Sequence, residues 1–131
     1  MGAEVEVQRA LYDALSLLGL RVYDAAPQVA DGGSNATFPY VEVGAVAFAP
    51  WDTSREQGHD FVARIHTRSR SGSMLETKTI QGQIYTRLHL GLLTIVGHDL
   101  ILIRREASDV IRAPDGSFHG VCEYRGLIEQ A

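Results

Sequence analysis

Two stretches of the chain alternate strictly, and no other feature constrains the fold as much. In residues 40–48, Val41, Val43, Ala45 and Ala47 alternate with Tyr40, Glu42, Gly44, Val46 and Phe48. In residues 60–68, Phe61, Ala63 and Ile65 alternate with Asp60, Val62, Arg64, His66 and Arg68. A period of two belongs to a strand, whose successive side chains point to opposite faces, here one buried and one more open. Strands of that kind need helices or a second sheet over the apolar face.

Two helices are legible. Over residues 4–18, Val7, Leu11, Leu15 and Leu18 recur at spacings of four, four and three, which makes one apolar stripe. Gly19 is placed to end that helix in a left-handed conformation. After Ser71-Gly72, the run Ser73-Met74-Leu75-Glu76 has the capping-box pattern, in which serine and glutamate each take an orphan backbone amide. The helix it opens carries Ile80, Ile84 and Leu88 and stops at Gly91. Gly82 inside it costs ~1 kcal/mol relative to alanine, and close packing is the reason expected.

Between these elements lie a weak strand at 20–23 and a loop at 25–37 built on Pro27 and Asp31-Gly32-Gly33-Ser34-Asn35. The loop has neither phosphate-cradling glycine pattern. Its Asn35-Ala36-Thr37 fits the glycosylation pattern, which means little without a secretory signal. The connection at 49–59, with Pro50, Trp51 and Gly58, is longer than a tight hairpin needs. It is expected to project as a β-hairpin arm around residues 46–58, with Trp51 either folded back onto the core or meeting a partner. Residues 92–96 and 99–106, separated by Gly97-His98, read as a strand pair, and Pro114-Asp115-Gly116 is a turn before a last strand at 118–128. The fold expected is α+β in the order α-β-β-β-α-β-β. An antiparallel sheet of about four strands carries both helices on one face.

Composition bounds the rest. The chain has 131 residues, with 12 Lys+Arg against 16 Asp+Glu and 45% hydrophobic residues, which suits one soluble domain spanning 1–131. Its longest apolar run, residues 45–49, is far below the ~20 of a membrane span, and no secretory signal is visible. A net charge of −4 weighs against free-standing nucleic-acid binding. Cys122 is alone, so no internal disulfide forms, and a buried thiol is the expectation.

No residue pattern in the chain points to catalytic chemistry. The five histidines, His59, His66, His89, His98 and His119, include no H-E-x-x-H pair, and no second cysteine completes a mixed metal site. Only His119 and Glu123, four apart on the last strand, share a face among candidate ligands. Cys122 sits mid-strand with no helix N-terminus to activate it, and no G-x-S-x-G elbow is present. The expectation is a non-enzymatic chain with no cofactor and no metal. The informative surface is the open sheet face, where Arg64, His66 and Arg68 stand outward together, followed by Arg70, with Glu123 and Arg125 sharing a face nearby. That face is either solvated or an interface. With Val46, Phe48 and Trp51 on the arm, Arg64, His66 and Arg68 make up the candidate subunit interface.

The pattern as a whole resembles the tail terminator, or tail-to-head joining, proteins of long-tailed phages, prophages and gene transfer agents. The resemblance runs from the N-terminal helix through Phe38-Pro39-Tyr40-Val41-Glu42-Val43-Gly44, Gly58, and Val62-Ala63-Arg64-Ile65-His66-Thr67-Arg68-Ser69-Arg70. It continues through Asp115-Gly116, Phe118-His119-Gly120-Val121 and Tyr124-Arg125. An aromatic often follows the histidine strand in that family; Thr67-Arg68 stands there in this chain. The resemblance implies a structural virion protein, assembled in the bacterial host cytoplasm, forming a hexameric ring at the head-proximal end of the tail. Such a ring terminates tube polymerisation and joins the tail to the head. Its partners are then other copies of itself, the tail tube protein and the head connector or stopper, with DNA passing through the lumen without specific binding and no membrane involved. Two other readings stand beside it: a head-completion stopper or minor tail-tube protein, and a small ligand-binding α+β domain.

Overall fold

The computed structural model describes residues 3–24, 38–51 and 58–131. The loop and glycosylation pattern expected at 25–37, and the middle of the arm at 52–57, lie outside the described residues. In chain order the elements are α1 (Glu4–Ser16), β1 (Val22–Tyr23), β2 (Tyr40–Pro50), β3 (Gly58–Ser69), α2 (Leu75–Leu88), β4 (His98–Arg112) and β5 (Phe118–Gln130). The α+β order expected from the sequence is the one found. The sheet has five strands in the order β1-β2-β3-β5-β4. It is mixed, because the two-residue β1 runs parallel to β2 while every other pairing is antiparallel.

Both helices cover the same face. α1 buries Val7, Ala10, Leu11, Ala14 and Leu15, and α2 buries Ile80, Ile84 and Leu88. These side chains form one continuous core with Val41 and Val43 of β2, Phe61, Ala63 and Ile65 of β3, and Cys122, Tyr124 and Ile128 of β5. The register explains the alternation: Phe61 faces Gly126, Ala63 faces Tyr124 and Ile65 faces Cys122. Gly126 has no side chain because the Phe61 ring fills the space where a Cβ would lie. Burial raises the Cys122 thiol above its ordinary pKa, so it stays protonated inside the core.

Several local expectations are corrected. Residues 92–96 do not form a strand; only Ile95 makes an isolated bridge, to His98. The pair expected there is instead β4 and β5 around the Pro114-Asp115-Gly116 turn, with β4 running on to Arg112. The capping box does not close. Ser73 Oγ accepts only a long 3.3 Å bond from the Leu75 N–H, and Glu76 turns back to accept from the buried Ser69 hydroxyl. Gly82 is not a close-packing site, since nothing lies within 4 Å of where its Cβ would stand. The second helix ends at Leu88, and Leu90 takes the positive φ of 55° before Gly91. Where the arm is described, it continues the sheet: β2 pairs with β3 out to Pro50 and His59, and Gly58 pairs onward to Glu129 of β5.

Candidate subunit interface

The six candidate residues fall in two places, and a β-bulge separates them. Val43 pairs with Ile65, but the next pair is Val46 with Ala63, so β2 holds one residue more than β3 across that step. An extra residue reverses the phase of every side chain beyond it. Val46 and Phe48 therefore turn to the helix-covered side, half-buried against the core, where strict alternation would have put Ala45 and Ala47. The Phe48 ring meets Phe61 at 6.0 Å and His59 edge-on at 6.1 Å. A glycine within a strand is a bulge signal, and Gly44-Ala45 stood in the sequence as that signal.

Trp51 lies at the end of β2. Its N–H donates to the Gly58 carbonyl at 2.9 Å, and its own carbonyl and ring edge crowd the space a Gly58 Cβ would need. Trp51 is half-buried on that glycine. The requirement for glycine at 58 follows from the tryptophan.

Arg64, His66 and Arg68 do share the face away from the helices. On that face opposite charges sit side by side across strands. Arg64 Nε is 3.3 Å from Glu123, and Arg125 donates through Nε to Asp60 at 2.9 Å and through Nη2 to its other oxygen. Glu106 of β4 joins Arg104 at 3.2 Å and Arg125 at 3.9 Å, so the ladder crosses three strands. The Arg125 hydrogen bond holds the Asp60 carboxyl below its ordinary pKa. Exposed pairs of this kind contribute ~0–1 kcal/mol each to folding, so they fix surface pattern more than stability.

Near the end of β3 and the start of β5 on this face is a pair that sequence reading missed. His66 Nδ1 and His119 Nε2 are 2.9 Å apart, with the rings stacked at 5.1 Å between centroids. One ring donates and the other accepts, so at least one is neutral. Partial burial is the main cause lowering both pKa values, and Arg68 adds to it for each. Glu42 opposes the effect, and His119 still falls to about 4. Gly44 makes the pair possible: a Cβ there would lie 2.7 Å from His66 Nε2. Past the strand, Arg70 stacks on Phe38 at 4.0 Å. Among the described residues, no three His, Cys, Asp or Glu side chains gather as a metal site, and no helix is long and apolar enough to cross a membrane.

The arrangement is a charge-paired sheet face on one side and a helix-covered side bordered by the bulged β2 edge on the other. Such surfaces suit contact with other chains. Among solved structures, the chain is similar to one from the virion of a native gene transfer agent particle, with 20% identity, a TM-score of 0.78 and coverage of 94% of each chain. That likeness shows the fold. No curated protein matches the chain. The family model described as tail completion protein gp17 matches residues 6–129, which takes in all five strands and both helices but for their outermost residues. The chain belongs to the gp17 family of phage tail completion proteins.

Proposed function

We propose that the chain assembles into a ring, six-fold in symmetry, on the head-proximal end of the completed tail. There it stops tube polymerisation and offers the head connector its docking surface. The observation that carries the reading is family membership over residues 6–129, on a fold with one sheet face uncovered by helices among the described residues. Arg64, His66 and Arg68 on that face, Trp51 at its end, and Val46 and Phe48 on the helix-covered side are the contact residues. A closed ring needs two different patches per subunit, and the bulge supplies that separation. The tail tube protein and the head connector are its other partners. A net charge of −4 suits a lumen that DNA traverses without being gripped. The similar solved chain, itself from a gene transfer agent virion, is in keeping with a virion component.

Negative-stain microscopy of particles from a strain lacking the gene tests this. Filled heads lying apart from tails, with tails of uneven or excessive length, are the expected outcome. Intact particles with tails of normal length overturn it.

A further inference from the structure

The sheet has two edges, and the molecule treats them differently. An edge strand presents unpaired N–H and C=O groups and invites another strand unless they are occupied. Along β4 they are occupied at intervals from Ile103 to Val110: Leu90 N–H donates to the Ile103 carbonyl at 2.7 Å, Arg105 N–H to His89 Nδ1 at 3.1 Å, and Val110 N–H to Asp109 Oδ1 at 2.8 Å. Along β2 the cover stops early. Val41 N–H donates to the Arg21 carbonyl at 2.8 Å and Gln8 Nε2 to the Val43 carbonyl at 3.3 Å. Trp51 N–H points to β3, so alternation back from it turns the backbone groups of Phe48 and Val46 away from β3. Among the described residues they meet nothing. Beside this open stretch a groove of ≈ 620 Å³ runs between α1 and β2, walled by Val5, Tyr12, Val46 and Phe48.

The complement lies on the other flank of α1. Residues 92–96 keep the period of two expected of a strand but are held only by Arg87 on the Leu92 carbonyl, by the bridge of Ile95 to His98 and by the His98 ring on the Val96 carbonyl. Leu90, Leu92 and Val96 are 64%, 82% and 67% exposed, while Ile95 is buried. The backbone groups of Leu93 and Thr94 have no hydrogen-bond partner among the described residues. Leu93, Thr94 and Val96 border Ala10, Ala14 and Leu17 of α1, whereas Val5, Gln8 and Tyr12 border the groove. The helix stands between the segment and the open edge of its own chain.

We propose that residues 92–96 of one copy add as a strand to the outer edge of β2 in the next copy, setting Leu92 and Val96 against the groove. The proposal rests on the ring reading and specifies its subunit contact. Each copy gives one strand and receives one, a head-to-tail contact that closes when its rotation divides the circle. Strand addition of this kind takes affinity from main-chain hydrogen bonds and register from the side chains that fill the groove.

The test uses particles from a strain carrying Thr94→Cys, on the same strand face as Leu92 and Val96, with Glu4→Cys on the groove wall, both exposed positions, treated with a short bis-maleimide. Cys122 is buried and stays unreacted. A ladder of multiples of this chain, missing from either single variant, is expected. Cysteines that label with a single-headed maleimide yet give no ladder, or that link only to a different tail protein, overturn the contact. If the double variant does not enter particles, Val5→Cys replaces Glu4→Cys and the same two outcomes apply. Copy number per particle, from quantitative mass spectrometry, separates the two readings. Several copies without a ladder leave the ring standing and remove this contact, while one copy removes both.

Discussion

At Gly126 a missing side chain is a packing requirement, because the Phe61 ring occupies the space. Both residues are in the buried layer, so Gly126→Ala must push Phe61 off its position. Overpacking of that kind costs ~1–3 kcal/mol. Urea unfolding is expected to show a lower midpoint with an unchanged slope. The His66–His119 pair makes a second prediction. His119 titrates at about 4 in the folded chain against an ordinary 6.5, and His66 is lowered as well. Between those values the unfolded chain binds more protons than the folded one, so stability rises with pH. The contribution is fully present above 6.5 and is lost as pH falls towards 4. Thermal midpoints taken across that range are expected to fall on acidification, and His119→Leu is expected to flatten the dependence. A midpoint that rises on acidification contradicts the assignment.

At the scale of elements, α2 holds more helix-weakening residues than its position needs. Gly82 faces solvent with open space around it, so Gly82→Ala introduces no clash and removes the backbone freedom that the unfolded chain holds there. It is expected to stabilise the chain by ~0.5–1 kcal/mol, read as a higher thermal midpoint. The start of α2 is anchored from below: the buried Ser69 hydroxyl of β3 donates to Glu76, so the glutamate ties helix to sheet and does not cap its own N-terminus. At the other end, Arg105 of β4 lies 4.3 Å from the centre of the Tyr85 ring, which stacks on His89. His89 in turn accepts the Arg105 amide, so one cluster both fixes the helix end and blunts the sheet edge.

For the whole molecule, assembly and folding are expected to separate. Arg64 is exposed and, among the described residues, pairs with the half-exposed Glu123, so Arg64→Glu exchanges a weak attraction for a weak repulsion, within ~1 kcal/mol of stability. The variant is expected to fold normally by circular dichroism while the yield of joined, DNA-filled particles collapses. Trp51→Ala is expected to behave likewise, because its ring is half-buried and rests on Gly58 at the start of β3, away from the helix-covered core. A large loss of monomer stability in either variant places that residue in the fold and not in the interface.

The sequence by itself determined the element order, both helices and the buried phase of β3, because each depends on local periodicity. Phe61, Ala63 and Ile65 could be assigned to the core from spacing alone. It also determined that Arg64, His66 and Arg68 share a face, since an unbroken strand allows nothing else. Val46 and Phe48 went to the other side because one bulge reverses a phase that spacing assumes constant. The His66–His119 pair came from the register of β3 against β5, a pairing between residues 53 apart that no local pattern records. Residues 92–96 have a strand's alternation, but a strand forms only where a neighbour supplies a run of hydrogen bonds, and among the described residues the segment has a single bridge, Ile95 to His98. Tertiary structure alone decided which edges are closed and which strand-like segment is left unpaired, because hydrogen-bond pairing between distant segments is a property of the folded chain.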